Sequence, residues 1–317
     1  MTCLVTGATG LVGSALVRTL YARGDSVVAA ARNAEKAQRL FGTLPRVHVV
    51  EWDVTRPFDI TQLSRLPGFN GMVDGIVHAA AETTSRNMVE RPVETITVTV
   101  EGTRNALELA RRLKVRGMVY LSSMEIYGLP QDGEPISEED LGPLDIMSPR
   151  SSYPLSKRAA EGYCAAYARE YGIPARIARL AQVVGEEIAP DDNRVIAQLA
   201  RAAASGGDMV LHTDGASAHC YCAVSDAVGA ILLLLERGVP GEAYNVANAS
   251  TYCSIRELAE YICAAHPPSR LRIKHIDGMG YAPNCKLRLS TAKIERLGWH
   301  PAVGLAEMFE RLIGNCK

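Results

Sequence analysis

Tyr153 and Lys157 stand four residues apart in "SSYPLSKRAAEGYCAAYAREYG", a stretch with a helical pattern. At that spacing two side chains share one face of a helix. A free tyrosine titrates near pH 10 and is a poor base at neutral pH. A nearby ammonium lowers that value by favouring the phenolate. A hydroxyl from a neighbouring element can steady the same oxygen. One is at hand in "LSSMEIYG", Leu121–Gly128, where Ser122 and Ser123 follow the apolar run "GMVY". Together these groups could take the proton of a substrate hydroxyl. By itself the Tyr-x-x-x-Lys spacing also fits an ordinary pair on a helix surface.

A second chemistry is written at the amino terminus. "VTGATGLVGSAL" sets Gly7, Gly10 and Gly13 between a first strand and a first helix. A dinucleotide pyrophosphate needs close backbone approach and the free amides of a helix N-terminus. The second strand of such a unit ends in an acid when the adenosine ribose is bound as in NAD. Here that position is Ala31, and Arg32 follows. An arginine there can pair with a 2′-phosphate, which favours NADP over NAD. Asp53 closes the third strand in "EWDV" and could accept from the adenine amine or serve as a turn aspartate.

These residues need elements to hold them. "CLVT", "SVVAAA", "RVHVVEWD", "GIVHAA" and "GMVYLSS" are short apolar runs, separated by helical segments such as "VTVEGTRNALELARRLK". Such alternation predicts a parallel sheet buried on both faces, a doubly wound α/β domain over residues 1–187. Strand carboxyl ends, and hence Ser123, then face the ligand crevice. From about Ile188 the alternation loosens. Helices at "NRVIAQLARAAASGG", "SDAVGAILLLLERG", "SIRELAEYICAAH" and "LAEMFERLIG", with strands at "DMVLHT" and "EAYNVAN", predict a smaller α/β lobe over 188–317, entwined with the first. "HPPSR" and "GMGYAPN" read as loops.

The chain of 317 residues has a net charge of −1, which leaves no footprint for nucleic acid or an anionic membrane. Arg111, Arg112, Lys114 and Arg116 end a helix, where cations complement its dipole. The longest apolar run, "AVGAILLLLE", is too short to span a bilayer, and no signal peptide is read. Eight scattered cysteines, with no Cys-x-x-Cys and no zinc spacing, are expected to be free thiols of a cytosolic protein without a metal site.

The combination of motifs resembles the extended short-chain dehydrogenase/reductase family, in its NAD(P)-dependent nucleotide-sugar epimerase/dehydratase branch. The resemblance runs through "TGATGLVG", "DV" at Asp53, "HAAA" at His78–Ala81, "SSMEIYG", "YPLSK", "RLAQVVG", "DGASAHCYCAVSDAV", "EAYNVAN" and "LRLSTAKIERLGW". It implies a Rossmann-type fold and NADP or NAD held by Gly7, Thr9, Gly10, Leu11, Val12, Gly13, Arg32, Asp53, Val54, Ala79, Ala80, Ala81, Thr99, Leu121, Tyr153 and Lys157. It makes Ser123, Tyr153 and Lys157 a catalytic triad. Tyr153 would take the proton of the sugar's 4-hydroxyl while carbon 4 loses a hydride. Lys157 would lower the Tyr153 pKa and hold the nicotinamide ribose. Ser122, Ser123, Met124, Gln182, Arg194, His219 and Arg288 would meet a nucleotide-diphosphate sugar. A homodimer through the long helix and the Tyr153 helix is also implied.

Departures from the family pattern carry information. Thr99, Gln182 and His219 stand where asparagine, asparagine and arginine are usual. The loss of that arginine leaves Arg288 as the favoured diphosphate anchor. Dehydrating relatives carry Asp-Glu after the hydroxyl residue; Met124 replaces that acid and cannot donate a proton. Glu125 remains, at the place where decarboxylating relatives that act on nucleotide-linked glucuronate carry a glutamate. The sequence thus favours a 4-epimerase working through a 4-keto sugar, with a decarboxylase as the alternative. An NADPH-dependent carbonyl reductase and a non-catalytic cofactor sensor are the remaining readings.

Overall fold

The structure is a computed structural model that describes every residue except 70, 131–134, 187–191, 193, 277–283 and 317. In chain order the elements begin β1 (Thr2–Thr6), α1 (Leu11–Ala22), β2 (Ser26–Ala31), α2 (Ala34–Phe41), β3 (Val47–Glu51) and α3 (Thr61–Ser64). They continue β4 (Gly75–His78), α4 (Ser85–Glu90), α5 (Pro92–Leu113), β5 (Gly117–Ser123), α6 (Ser152–Tyr171), β6 (Ala175–Leu180) and β7 (Gln182–Val184). Then come α7 (Val195–Ser205), β8 (Met209–Leu211), β9 (Ala218–Ala223), α8 (Val224–Arg237), β10 (Ala243–Val246) and β11 (Asn248–Ser254). The last are α9 (Ile255–Ala265), β12 (Leu271–Ile273), β13 (Lys286–Leu287), α10 (Ala292–Glu295) and α11 (Leu305–Gly314).

Seven strands form a parallel sheet in the order β10-β6-β5-β4-β1-β2-β3. Strand order reverses at β1, which pairs with β2 on one side and β4 on the other. That reversal is the switch point beside which doubly wound sheets bind ligands. Every residue of β1 and β6 is buried, as strands covered on both faces require. The Rossmann-type architecture expected from the alternation of runs is therefore the one observed.

The chain divides into two compact units, each drawn from more than one stretch. The first comprises Met1–Ile126, Leu144–Arg179 and Val228–Tyr244. Its core packs Leu4, Val28, Ile76, Tyr120 and Ile177 of the sheet against Leu107 and Ala160 of the helices. The second comprises Tyr127–Pro143, Leu180–Ala227 and Asn245–Lys317. There β9 pairs antiparallel with β11 and parallel with β7 and β13. Its core joins Tyr221, Leu199, Ile262, Phe309 and Leu312. The boundary expected at residue 187 and most of the "GMGYAPN" loop lie outside the described residues. Among the described residues no helix is long and apolar enough to cross a membrane.

Local chemistry explains where elements start and stop. α5 opens on Pro92, whose missing N–H costs nothing in a first turn, and closes on Lys114 in the left-handed region. Arg111 and Arg112 occupy its last turn, as expected. Ser254 and Glu257 cap α9 reciprocally. The Tyr153 helix starts one residue earlier than the sequence suggests, at Ser152, behind a 3₁₀ turn Pro149–Ser151. The β6 strand is harder to read because Arg176 and Arg179 interrupt its apolar run. Both are buried with partners: Arg176 donates to the Gly238 and Pro174 carbonyls, and Arg179 to Glu161.

Candidate active site

The end of β5 delivers Ser122 and Ser123, and a 3₁₀ turn, Met124–Tyr127, delivers Glu125. Ser122 is buried and its Oγ has no hydrogen-bond partner. The Ser123 Oγ accepts from the Glu125 amide at 3.2 Å. It also hydrogen-bonds the Tyr153 phenol in the sense that favours the phenolate. Met124 is buried, and its thioether has no proton to give. The first turn of α6 thus brings Tyr153 to Ser123.

The electrostatics depart from the sequence expectation. Burial pushes the Tyr153 phenol well above its usual range, and the Glu125 charge pushes it further. The groups that pull it back are the Ser123 hydroxyl and the Arg150 guanidinium. Lys157 is not among them. Its ammonium donates to the Leu121 carbonyl at 2.7 Å and lies 5.7 Å from the centre of the Tyr153 ring. Burial lowers Lys157 itself to about 8, against the raising effect of Glu161 and Cys164. The cation that favours the phenolate is therefore Arg150, to which the sequence reading gave no role. Its Nη2 lies 2.9 Å and 2.8 Å from the two oxygens of Glu125. The available signal was its place in "PRSSY", in the turn that leads into the tyrosine helix.

The glycine loop between β1 and α1 is closed without side chains. Gly7 has φ +62°, and a Cβ on it would lie 2.8 Å from the Ala79–Ala80 peptide. A Cβ on Gly13 would lie 2.2 Å from the Gly7 carbonyl oxygen. Gly10 caps α1 and offers its amides no side-chain acceptor, so they remain available to an anion. Thr9, Leu11 and Val12 are half-buried along the same loop. Thr6 Oγ1 accepts from the amides of Ala79 and Ala80 and bonds His78 Nδ1, tying β1 to β4; Ala81 follows, half-buried.

Arg32 and Asp53 line one cleft of about 590 Å³ with Thr55, Glu90, Arg91 and Glu94. Asp53 Oδ1 accepts from the amide and hydroxyl of Thr55, the turn role foreseen as its alternative. The Val54 carbonyl is held by Asn105. Thr99 is buried with its Oγ1 unpaired. A side-chain-free cradle, free helix amides and an adjoining polar cleft fit a dinucleotide.

Gln182, Arg194, His219 and Arg288 belong to the second unit. Gln182 opens β7 opposite Tyr221. Arg194 is engaged by Asp192 through Nε and Nη2. His219 sits between Cys253 and Leu287, and burial lowers it to about 4, so it is neutral at neutral pH. Its Nδ1 is buried without a partner. It therefore brings no charge to replace the usual arginine. Arg288 is exposed, 5.9 Å from the Tyr252 ring centre. The same unit holds a cleft of about 440 Å³ lined by Arg256, Lys286, Tyr252 and Asp214, and sequence reasoning missed its two cations. Among the described residues no cluster of His, Cys, Asp or Glu could hold a metal ion.

Comparison with known proteins bears on this arrangement. The model of the NAD dependent epimerase/dehydratase family matches residues 3–247. UDP-glucuronic acid decarboxylase 3 of Arabidopsis thaliana is 32% identical over 313 residues, covering 97% of this chain and 86% of its own. A Thermus thermophilus UDP-glucose 4-epimerase crystallised with NAD is 26% identical, with TM-score 0.81 over 100% of this chain and 99% of that one. The Streptomyces venezuelae dTDP-glucose 4,6-dehydratase, as a double mutant with NAD bound, is 26% identical, with TM-score 0.79 over 99% and 96%. The curated relatives reverse the order of the sequence expectation, because they are decarboxylases where the sequence favoured a 4-epimerase. The cofactor bound in those two structures, and named by the family description, is NAD. With its glycine cradle, its Ser123–Tyr153 contact and this match, the chain belongs to the NAD-dependent epimerase/dehydratase family, as an enzyme of the short-chain dehydrogenase/reductase type.

Proposed function

We propose that this enzyme decarboxylates a nucleotide-linked glucuronate through a 4-keto sugar. The observation that carries the reading is Glu125 following a buried Met124 beside Tyr153. No acid stands at position 124 to expel a hydroxyl, and loss of carbon dioxide needs none. The similarity to UDP-glucuronic acid decarboxylases across nearly the whole chain supports it.

In this reading Tyr153, as phenolate, takes the proton of the 4-hydroxyl, and Ser123 holds that oxygen in line. A bound NAD would supply the acceptor for the hydride of carbon 4 and the source of its return. Gly7, Gly10 and Gly13 would hold its pyrophosphate, and Lys157 its ribose. Once carbon 4 is a ketone, the carboxylate on carbon 5 is that of a β-keto acid. Its carbon–carbon bond breaks, the electron pair moves into the carbonyl, and carbon dioxide leaves. Carbon 5 then takes a proton from water, relayed by Glu125, which restores the 4-ketone.

We assign residues 1–187 mainly to the dinucleotide and 188–317 mainly to the nucleotide sugar. Arg256 and Lys286 join Arg288 as candidates for its diphosphate. A cytosolic homodimer belongs to the same reading. All eight cysteines are free thiols. On α6, a Cβ at Gly162 would meet nothing within 4 Å, and Tyr171 is exposed, which suits a close helix partner. Sedimentation showing only monomer would remove the dimer.

The test is mass spectrometry of products from UDP-glucuronate, UDP-glucose and UDP-galactose. Loss of carbon dioxide from the uronate, abolished in Tyr153→Phe, is expected. A 4-epimer formed with the carboxylate retained would return the epimerase to first place. Net consumption of NADPH with a carbonyl substrate would favour the reductase.

A further inference from the structure

Arg150 and Glu125 form an ion pair whose two charges both act on the Tyr153 phenol. The pair spans two short turns: Glu125 lies just beyond β5, and Arg150 just before α6. Arg150 is largely buried, its side chain 14% exposed, and Glu125 is 32% exposed. One guanidinium nitrogen reaches both carboxylate oxygens. The Arg150 Nε is buried and has no hydrogen-bond partner. A side chain serving stability alone would satisfy that donor, and an unmade buried bond asks for another reason. The grip on Glu125 supplies one.

We propose that Arg150 is a positioning residue of the reaction, which fixes the Glu125 carboxylate and cancels its field at the Tyr153 hydroxyl. The proposal rests on Tyr153 and Glu125 working in the reaction as read above. Without a cation, the carboxylate that acts on the sugar would oppose ionisation of the phenol that must act first. Arg150 lets one small site hold both groups. The same balance appears in the opposed effects of Glu125 and Arg150 on the phenol.

Other charged and titratable groups on α6 and on the elements packed against it have partners of their own or stay uncharged. On α6, Lys157 is committed to the Leu121 carbonyl. From β5, Ser123 and Tyr120 are uncharged at neutral pH, with Tyr120 pushed well up by burial. On α4, Arg86 pairs with Glu90. On α5, Arg91, Arg104 and Arg111 pair with Glu94, Glu101 and Glu108.

The experiment compares Arg150→Gln, Arg150→Lys, Glu125→Gln and the Arg150→Gln/Glu125→Gln double variant in the NAD-loaded full chain. The first readout is the pH profile of kcat with the nucleotide sugar. The acid limb, set by Tyr153, is expected about one pH unit higher in Arg150→Gln. It returns to the wild-type position in Arg150→Lys, which keeps the charge, and in the double variant, which removes both charges. An Arg150→Gln loss of rate that is equal at every pH, with the limb unmoved, would overturn the proposal. The second readout needs no substrate: the ¹³C resonance of the Tyr153 ring, assigned by its loss in Tyr153→Phe. It should titrate lower in Glu125→Gln and higher in Arg150→Gln than in the double variant. Coincident titrations would overturn the proposal even if no sugar were turned over. Absent turnover with the expected titrations would instead count against the reading of the function.

Discussion

The Lys157 ammonium donates to the Leu121 carbonyl oxygen over 2.7 Å, in a site that leaves Lys157 2% exposed. Burial brings its pKa from 10.5 down to about 8. The folded state therefore binds fewer protons than the unfolded state between those values, and stability rises with pH across that window. Below pH 8 the burial cost is fully present. A tenfold change in proton affinity is worth about 1.4 kcal/mol, so the whole rise is about 3 kcal/mol. Lys157→Met should lack this rise. Denaturant melts at pH 7 and pH 10.5 should show the wild type gaining about 3 kcal/mol relative to the variant.

Glu161 and Arg179 form a buried pair one helical turn beyond Lys157, with Nη2 and Oε2 2.7 Å apart. Removing one partner leaves a buried charge uncompensated, which costs about 3–5 kcal/mol. Glu161→Gln should lower stability by that amount. The double replacement Glu161→Leu/Arg179→Met should recover most of it. Urea melts of the three chains check both statements, and equal losses in the single and double variants would contradict them.

Gly13 tolerates no side chain, since its Cβ would meet the Gly7 carbonyl oxygen at 2.2 Å. A backbone oxygen cannot step aside alone, so the loop must shift. At Gly10 a Cβ would make an ordinary contact of 3.4 Å. Gly13→Ala should weaken NAD binding by about tenfold or more, equivalent to about 1.4 kcal/mol. Gly10→Ala should leave the fold intact. Cofactor titration and thermal melts separate the two effects.

Arg32 lines the cleft that also holds Asp53, Arg91 and Glu94. If it meets a 2′-phosphate, Arg32→Ala should weaken NADP by about tenfold, the order expected for a lost charge-assisted contact, and change NAD little. Calorimetric titration of both dinucleotides against both chains reads this directly. Equal effects on the two would set aside the NADP preference drawn from the sequence.

The sequence by itself determined much of the frame. Short apolar runs divided by helices marked β1 to β5 because a doubly covered strand leaves no polar face. Glycines at 7, 10 and 13 marked the loop because only backbone fits there. The Tyr153–Lys157 spacing placed both residues on one helix because periodicity is local. The identity of Met124 was enough to remove the proton donor of a dehydratase. Tertiary structure decided the rest. β6 hides its strand character behind Arg176 and Arg179, whose partners lie 62 and 18 residues away in the chain. Burial keeps His219 neutral even in mild acid. The pairing of Arg150 with Glu125, and the commitment of Lys157 to Leu121, depend on contacts 25 and 36 residues apart. Electrostatic roles follow distance and desolvation, and neither is written in the order of residues.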